Sequence, residues 1–285
     1  MHITTLIENT EGSSGCMTAH GLSFYIETAK HRILMDAGPS GRFLKNAEQL
    51  GIDLAAVDLA VLSHGHYDHS GGMLPFTELN PRAAIYVQDS FDGDYYGADL
   101  MEDGSLKYRY IGVAPELAAH PQIKRIHGDV TIDEELRLFT VDQRNYPLPS
   151  SNRTILVKDG DSYVQDPFRH EQCLVITENG RNVLFSGCAH NGILSILDEY
   201  KRKFGNEPDA VISGFHLMKM DGSDFSEQEL QEISEIAETL EARNTVFYTC
   251  HCTGVPAYER MKEIMGEKLR YVHSGDSIEM DWVNK

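Results

Sequence analysis

One short segment limits what this chain can fold into more than any other. Three histidines and one aspartate fall within six residues, at His64, His66, Asp68 and His69, directly after the apolar β-type run 57–62. Loops that leave the ends of strands in layered α/β folds are places where a rigid sheet presents ligands to a cleft. The segment therefore predicts a strand that ends in a metal-binding loop.

The spacing within this segment indicates how metal ions would be held. Residues two apart on extended backbone point the same way, so His64 and His66 can hold one ion. Asp68 and His69, after the turn, can face a second ion, and the Gly71-Gly72 pair lets backbone pass close before a helix starts. Imidazole nitrogens with one carboxylate suit zinc, with iron or manganese as alternatives. A histidine-rich solvated loop is the competing interpretation.

Periodicity predicts alternating strands and helices around this loop. Strands are predicted at 2–7, 22–27, 32–36, 57–62, 173–177, 183–186, 210–213, 245–250 and 277–281, and helices at 41–50, 192–204, 227–242 and 257–265. Ser226 and Glu229 have the spacing of a capping box at the start of the third helix. No linker, low-complexity tract or short repeat interrupts the pattern, so one α/β domain over 1–285 is predicted.

Residues 73–165 do not follow this pattern. They are rich in glycine and acid, and Tyr95, Tyr96, Tyr108 and Tyr110 cluster in polar sequence. We predict an insertion or lid near the mouth of the site. The alternative, that the tyrosines only pack the insertion onto the main body, remains open because tyrosine buries area wherever its hydroxyl has a wet edge.

Charge and cysteine usage exclude some functions. The chain has 44 acidic and 25 basic residues, a formal net charge of −19, which disfavours nucleic acid as a partner because phosphate binding depends on Lys and Arg. No signal peptide or apolar span is visible, so no membrane association and a cytoplasmic location are expected. Five thinly spread cysteines argue against a disulfide framework. Cys250 and Cys252 flank His251, which hints at metal chemistry, although a buried strand cysteine is more often a small apolar residue.

The histidine segment also resembles a known family signature. The run His64-Gly65-His66-Tyr67-Asp68-His69 is similar to that of the metallo-β-lactamase superfamily, and Asp36-Ala37-Gly38 resembles its upstream Asp-x-Gly. Segments 20–23, 171–172, 186–190, 214–217 and 251–254 resemble one branch, the 7,8-dihydropterin-6-ylmethyl-4-(β-D-ribofuranosyl)aminobenzene 5'-phosphate synthase-like hydrolases. The resemblance spans nearly the whole chain and is weakest in 73–165. It implies a four-layer αβ/βα sandwich with a metal site at the edge between two sheets.

The resemblance further implies a set of ligands for two divalent ions, with zinc favoured. They are His64, His66 and His190 around the first ion, and Asp68, His69 and His251 around the second. Asp36 is expected to orient the histidine loop rather than to bind metal.

Cys188 departs from the family pattern, because the superfamily usually carries a bridging aspartate at this place. Its thiolate could ligate or bridge the ions, or the side chain could merely pack while His190 makes the contact. We keep Cys188 among the candidate ligands. His170 precedes the nearby strand but reads as part of a polar turn and is left out, and His20, in a glycine turn, is expected to be structural.

These residues predict a hydrolase in which a metal-bound hydroxide attacks a small-molecule ester or phosphodiester, and the resemblance implies a phosphorylated or pterin-like substrate. Asp68 is the candidate that takes up a proton. His216, which follows a strand and a glycine, could act as acid, base or phosphate contact, or could be purely structural. Two alternatives are a lactonase or thioesterase of the same fold, and a non-catalytic metal-containing binding or sensory protein.

Overall fold

Two seven-stranded sheets form the centre of the fold. The structure is a computed structural model that describes residues 1–101, 103–220 and 222–280. In spatial order, the first sheet contains β18 (Ser277–Glu279), β1 (His2–Ile7), β2 (Ser23–Glu27), β3 (Arg32–Met35), β4 (Leu59–Val61), β5 (Ala84–Gln88) and β8 (Ile123–Ile126). The second contains β17 (Leu269–Tyr271), β16 (Val246–Thr249), β15 (Ala210–Ser213), β14 (Arg181–Ser186), β13 (Cys173–Glu178), β10 (Leu136–Phe139) and β9 (Val130–Thr131).

Helices cover the outer face of each sheet. The first sheet is covered by α1 (Arg42–Gln49), α3 (Met73–Leu79) and α4 (Pro115–Ala118), and the second by α5 (Ile193–Phe204), α6 (Glu227–Glu241) and α7 (Val255–Met265). Another short helix, α2 (Tyr67–Ser70), lies in the histidine segment. Single 3₁₀ turns occur at Leu54–Ala56, Ser150–Thr154, His251–Thr253 and Gly266–Lys268.

The side-chain alternation of the strands explains the layering. On β14, Val183 and Phe185 point into the core between the sheets, whereas Leu184 packs against the helices. On β2, Phe24 points to the same central core, and Tyr25 faces the helices of the other side. Strands buried on both faces need nearly continuous apolar runs, which these strands have. The expected four-layer αβ/βα sandwich is therefore confirmed.

Parallel strands bring several loops to one edge. In the first sheet β3, β4 and β5 are parallel, and in the second β14, β15, β16 and β17 are parallel. Register keeps their ends level, since Met35 is opposite Val61 and Ser186 is opposite Ser213. The loops after β4, β14, β15 and β16 consequently leave from strand ends that are level within each sheet, where ligand sites of α/β sheets form.

Most elements predicted outside 73–165 are confirmed to within a few residues. The capping box of α6 is formed by Ser226 and Glu229 as expected. After the end of β4, Asp68 and His69 lie on the helical turn α2. The last strand ends at Glu279, and the final predicted position, residue 281, lies outside the described residues.

The span 73–165 contributes to more than one part of the molecule. Strands β5, β8, β9 and β10 pair within the two large sheets, whereas β6 (Tyr95–Leu100), β7 (Leu106–Tyr110), β11 (Ile155–Asp159) and β12 (Ser162–Gln165) form a separate four-stranded sheet. Tyr108 stacks on Tyr163 with ring centroids 3.9 Å apart, and Tyr96 contacts Tyr110 and Tyr163. Tyr95 differs, because it is buried next to His66.

Two general features concern the whole described chain. All five cysteines are buried and free. Among the helices that the structure describes, none is long and apolar enough to cross a membrane.

The close approach of Gly65 to a neighbouring loop generates a stability prediction. A Cβ atom at Gly65 would lie 1.9 Å from the carbonyl oxygen of Phe91, so Gly65→Ala should displace the loop and lower the free energy of unfolding by about 1–3 kcal/mol. Gly41→Ala is the matched control, because its Cβ would meet its nearest neighbour at 3.5 Å. Urea denaturation of both variants measures the difference, and equal midpoints would contradict the tight contact.

Candidate metal centre

The loops after β4 and β14 bring three imidazoles together. Ring centroids are 4.6 Å apart for His64 and His66, 4.7 Å for His64 and His190, and 4.8 Å for His66 and His190. All three side chains are buried, and one ligand atom from each lies within 4.8 Å of the others. This group contains the three residues that the sequence analysis placed around the first ion.

A second group of candidate ligands lies beside the first. His69 Nε2 is 3.1 Å from the Cys188 sulfur and 3.6 Å from Asp68 Oδ2. Asp68 Oδ2 is also 3.3 Å from His251 Nε2. These short distances connect the two groups. The structure therefore brings all seven predicted ligands into one cluster at the edge between the sheets, namely His64, His66, Asp68, His69, Cys188, His190 and His251.

A buried carboxylate sets the orientation of two histidines in this cluster. Asp36 Oδ1 accepts the Ser63 backbone N–H at 2.7 Å, and its Oδ2 accepts the Ser63 hydroxyl at 2.7 Å and His69 Nδ1 at 2.7 Å. Because the Ser63 hydroxyl donates to Asp36, its oxygen accepts from His64 Nδ1 at 2.9 Å. In both histidines Nδ1 carries a proton, and Nε2 is the ring nitrogen that faces the cluster.

Two amide side chains orient two further histidines in the same way. Asn152 Oδ1 contacts His190 Nδ1 at 2.9 Å, and its Nδ2 donates to the His190 carbonyl at 2.7 Å. Asn9 Oδ1 contacts His251 Nδ1 at 2.8 Å. With Nδ1 as the donor, Nε2 is again the ring nitrogen that faces the cluster.

The acceptors that face the cluster fit a cation. His64 Nε2 and His190 Nε2 are 3.3 Å apart. Because the proton of each ring is on Nδ1, two lone pairs face each other at this distance. A cation between or beside the two nitrogens would remove their repulsion. His66 Nε2 is buried without a hydrogen-bond partner in the described part of the chain, and His251 Nε2 lies 3.3 Å from Asp68 Oδ2. Buried unpaired acceptors are costly, and imidazole, carboxylate and thiol groups are ligands that suit zinc or iron.

The protonation of these groups follows from burial and from their mutual charges. Burial, together with the neighbouring imidazoles, holds the pKa of His64 and His190 well below the ordinary value and lowers the pKa of His66 to about 3. Burial alone would raise the pKa of Asp68, but His69 and His251 outweigh it and hold that pKa well below its usual range. Three neutral imidazoles and one ionised carboxylate are therefore ready to bind a cation.

His69 differs from the other imidazoles. Burial lowers its pKa, but the Asp36 and Asp68 carboxylates outweigh burial and raise the pKa to about 9. Its Nδ1 proton is held by Asp36, so the second proton is on Nε2, which faces Cys188. A cation bound at this place would displace that proton, as metal binding to a histidine requires.

Buried polar groups next to the cluster hold the ligand loops. Glu171 accepts the backbone N–H of His190 at 2.6 Å and of Asn191 at 2.9 Å. His170 Nδ1 accepts the Gly65 backbone N–H at 2.9 Å, while its Nε2 lies 3.0 Å from Asp166 Oδ2. Both ring nitrogens of His170 are thus engaged, which leaves no lone pair for a metal ion. The side chain is buried rather than part of an exposed turn.

His216 and His20 flank the cluster on different sides. The His216 ring lies 4.2 Å from that of His190, and its Nδ1 is buried without a hydrogen-bond partner in the described chain. His20 Nε2 lies 3.6 Å from Asp68 Oδ2, and burial together with His251 lowers the pKa of His20 to about 4. His20, expected to be structural, therefore contacts the candidate ligands directly.

Sequence reasoning missed several residues of this site. Asn9, Asn152 and His170 act on the ligands from positions 242, 38 and 105 residues away in the chain, and no short motif marks them. Cys252 was noted only for its place beside His251, yet its sulfur lies within 4.8 Å of ligand atoms of Cys188 and His251. The run Cys250-His251-Cys252, with three potential soft ligands in a row, was the available signal.

The layered sheets and the edge cluster define an α/β sandwich protein with a group of candidate metal ligands at the edge between its sheets. The family model of the metallo-beta-lactamase superfamily matches residues 18–220. The chain belongs to this superfamily. Proteins with this fold bind divalent metals.

Two proteins of Methanocaldococcus jannaschii are similar to this chain over almost their full length. One, an uncharacterised protein, is 27% identical over 282 residues, which cover 97% of this chain and 99% of that protein. The other is named 7,8-dihydropterin-6-methyl-4-(beta-D-ribofuranosyl)-aminobenzene-5'-phosphate synthase and is 27% identical over 296 residues, which cover 97% of this chain and 95% of that protein. One of the two relatives therefore carries the name of the branch that the sequence motifs resemble.

Solved structures agree with the fold. A crystal structure described as a metal-dependent hydrolase of the beta-lactamase superfamily superposes with a TM-score of 0.79 and 26% identity, covering 98% of this chain and 99% of that one. Zn²⁺-bound PqqB from Methylobacterium extorquens superposes with a TM-score of 0.58 and 12% identity, covering 98% of this chain and 100% of that one. The second likeness shows the fold alone.

The role of Asp36 generates a prediction about metal affinity. Asp36→Asn removes the carboxylate that orients His69 and the Ser63–His64 pair, so metal affinity should fall by about 10- to 100-fold. Asp133→Asn is the control, because Asp133 makes the same kind of contact with His31 (Oδ2 to Nε2, 2.7 Å) away from the cluster. Competition titration with a chromophoric chelator gives both affinities. Equal affinity in the two variants would show that Asp36 does not act on the ligands.

The lowered histidine pKa values generate a prediction about the metal-free protein. His66 titrates near pH 3 in the folded chain and near 6.5 when unfolded, so the unfolded state binds more protons between these values and stability falls as the pH falls. Between pH 6.5 and 5 this single group should remove about 1–2 kcal/mol from the free energy of unfolding. His69, with a folded-state pKa of about 9, is fully protonated in the folded chain but only half protonated in the unfolded chain at pH 6.5, so it offsets this loss by about 0.4 kcal/mol.

Urea denaturation of the metal-free wild type and of His66→Gln at both pH values measures this contribution. The variant lacks the titrating group, so its loss of stability on acidification should be smaller by that amount. An identical pH dependence in the two proteins would rule out a neutral buried His66.

Proposed function

We propose that this protein is a metal-dependent hydrolase that cleaves an ester or phosphodiester bond in a small molecule, with two divalent ions, zinc favoured, held in the edge cluster. The observation that carries the proposal is the convergence of buried imidazole Nε2 atoms, with the Asp68 carboxylate and the Cys188 sulfur beside them. Structural zinc sites close four ligands around one ion, whereas catalytic sites keep positions open for water and substrate. A cluster with more ligands than one ion needs suits the second kind of site.

The residues divide between two ion positions. His64, His66 and His190 would hold the first ion, and Asp68, His69 and His251 the second, with Cys188 next to both groups. Ions bound there would lower the pKa of a coordinated water and polarise the oxygen of the substrate bond.

Asp68 is the candidate that moves a proton. Its low pKa keeps it ionised, and it is the most exposed of the seven ligand candidates, at 8% against 0–4% for the others. An ionised carboxylate that still reaches the cleft can accept a proton from a nearby water or hold that water by a hydrogen bond.

His216 is the candidate that contacts the substrate. It is only half-buried, its Nδ1 has no partner within the described residues, and its ring lies against His190. The backbone at His216 is held in place, since Ser151 donates a hydrogen bond to its carbonyl oxygen and Phe215 N donates to Thr253 Oγ1 at 2.8 Å. From this position the imidazole can bind an anionic oxygen or protonate a leaving group.

The class of substrate is supported by the named relative. A protein 27% identical over nearly the whole chain is named as a synthase of a phosphorylated dihydropterin compound, and we propose a phosphorylated or pterin-like small molecule for this chain as well. The excess of acidic residues keeps nucleic acid disfavoured as a substrate.

The experiment that tests the proposal compares two carboxylate variants. Wild type, Asp68→Asn and Asp89→Asn are loaded with zinc, and the rate of bis-p-nitrophenyl phosphate hydrolysis is measured together with metal per chain. Asp68→Asn should lower kcat by about 100- to 10,000-fold and metal content from two ions toward one. Asp89→Asn, whose carboxylate pairs with exposed His127, should leave both unchanged.

Three outcomes decide between the candidate functions. Activity and metal content that are unaffected by Asp68→Asn would overturn the assigned role of Asp68. Hydrolysis of p-nitrophenyl acetate or a lactone, with none of the phosphodiester, would favour the lactonase or thioesterase class. Full metal content with no turnover of any ester would favour a metal-containing binding protein.

A further inference from the structure

We propose that Cys252 is a metal ligand and that Cys188, Cys252 and His251 together form a thiolate-rich position for a soft divalent cation such as zinc. This inference rests on the metal centre of the proposed function but not on the hydrolytic reaction. It adds Cys252 to the candidate ligands His64, His66, Asp68, His69, His190, His251 and Cys188, and it gives Cys188 a second thiol with which to bind the same ion.

The geometry of the three side chains fits a tetrahedral zinc site. Their ligand atoms all lie within 4.8 Å of one another, and the residues are 2%, 4% and 0% exposed for Cys188, Cys252 and His251. With Zn–S near 2.3 Å and Zn–N near 2.0–2.1 Å, tetrahedral ligand atoms are about 3.5–3.8 Å apart. Small side-chain rotations would bring the group to these separations.

The backbone around Cys252 is fixed in a way that directs the thiol to the cluster. Its carbonyl oxygen accepts the N–H groups of Leu217 at 2.9 Å and Met218 at 2.8 Å. Gly214 leaves the space that the thiol occupies, because a Cβ atom there would lie 2.3 Å from the Cys252 sulfur. The sulfur position is therefore set by contacts on both sides.

The polar neighbours of the Cys252 sulfur belong to the site. It donates to the Cys188 carbonyl oxygen at 3.5 Å, and it lies within 4.8 Å of ligand atoms of Cys188 and His251. Cys250, two residues earlier, instead packs in the core between the sheets. Of these two cysteines, only Cys252 faces residues that bind cations.

Two thiolates change which cation the site prefers. Sulfur ligands select zinc, cobalt and cadmium over the harder manganese and magnesium ions. His251 is shared between this thiolate group and Asp68, whose Oδ2 lies 3.3 Å from His251 Nε2. The site therefore has a soft side, with two sulfurs, and a hard side, with one carboxylate.

Cobalt substitution tests the ligation directly. Anaerobically purified protein is stripped of metal, titrated with Co²⁺ and measured for thiolate-to-cobalt charge-transfer absorption in the near ultraviolet. Wild type should show the band, Cys252→Ser and Cys188→Ser should each lose about half of it, and the double variant should lose all of it, because the number of sulfur ligands falls from two to one to none. Cys250→Ala is the matched control and should retain the full band.

A measurement on wild type alone covers the case in which a serine variant does not fold. X-ray absorption at the zinc edge separates sulfur at about 2.3 Å from nitrogen or oxygen at about 2.0–2.1 Å. Sulfur scattering in the zinc-loaded protein supports the inference. A spectrum with nitrogen and oxygen only, or a full cobalt band in Cys252→Ser, would overturn it.

Hydrolysis assays on the same samples separate the two proposals. A sulfur-ligated ion in a wild type that hydrolyses no ester would leave the thiolate ligation in place and overturn the hydrolase. Normal hydrolysis with no sulfur scattering would support the hydrolase and overturn the thiolate ligation.

Discussion

The Asp36 carboxylate is the interaction on which the rest of the centre depends. It follows β3, and it is fully buried where β3 and β4 end level with each other. Three donors satisfy it, namely the Ser63 backbone and hydroxyl and the His69 ring. A buried charge is tolerated only when it is paired in this way, and the same three contacts decide which nitrogen of His64 and His69 faces inward. The three hydrogen bonds that make the buried Asp36 carboxylate tolerable are thus the same bonds that orient His64 and His69.

Backbone strain is concentrated at the same edge. Asp36, Ala189, His216 and His251 have φ values of 59°, 55°, 50° and 49°, in the left-handed region that favours glycine. Such residues cost about 1–3 kcal/mol each and persist only where the surroundings hold them in place. Here the surroundings are two large sheets with a shared apolar core, so the stability of the layers offsets the strain of the ligand loops.

Much of the fold could be predicted from the sequence, because period-two apolar runs and strand-end histidines are local signals. Strands such as 210–213 and the helix capped by Ser226 need only their own residues to be recognised. The partners that orient the ligands could not be predicted, since Asn9 and Asn152 meet His251 and His190 only after the chain has folded. The short strands within 73–165 were missed for the same reason: their pairing, not their composition, places them in the large sheets.

The candidate ligands come from both halves of the sandwich. His64 and Asp68 follow β4 of one sheet, whereas His190 and His251 follow β14 and β16 of the other. Ions held by both groups would connect the two sheets at their edge. A ligand that binds only the folded state raises the free energy of unfolding by about 2.7 kcal/mol when its concentration is a hundred times Kd. Loss of the cations would then loosen the attachment between the two sheets at this edge as well as empty the site.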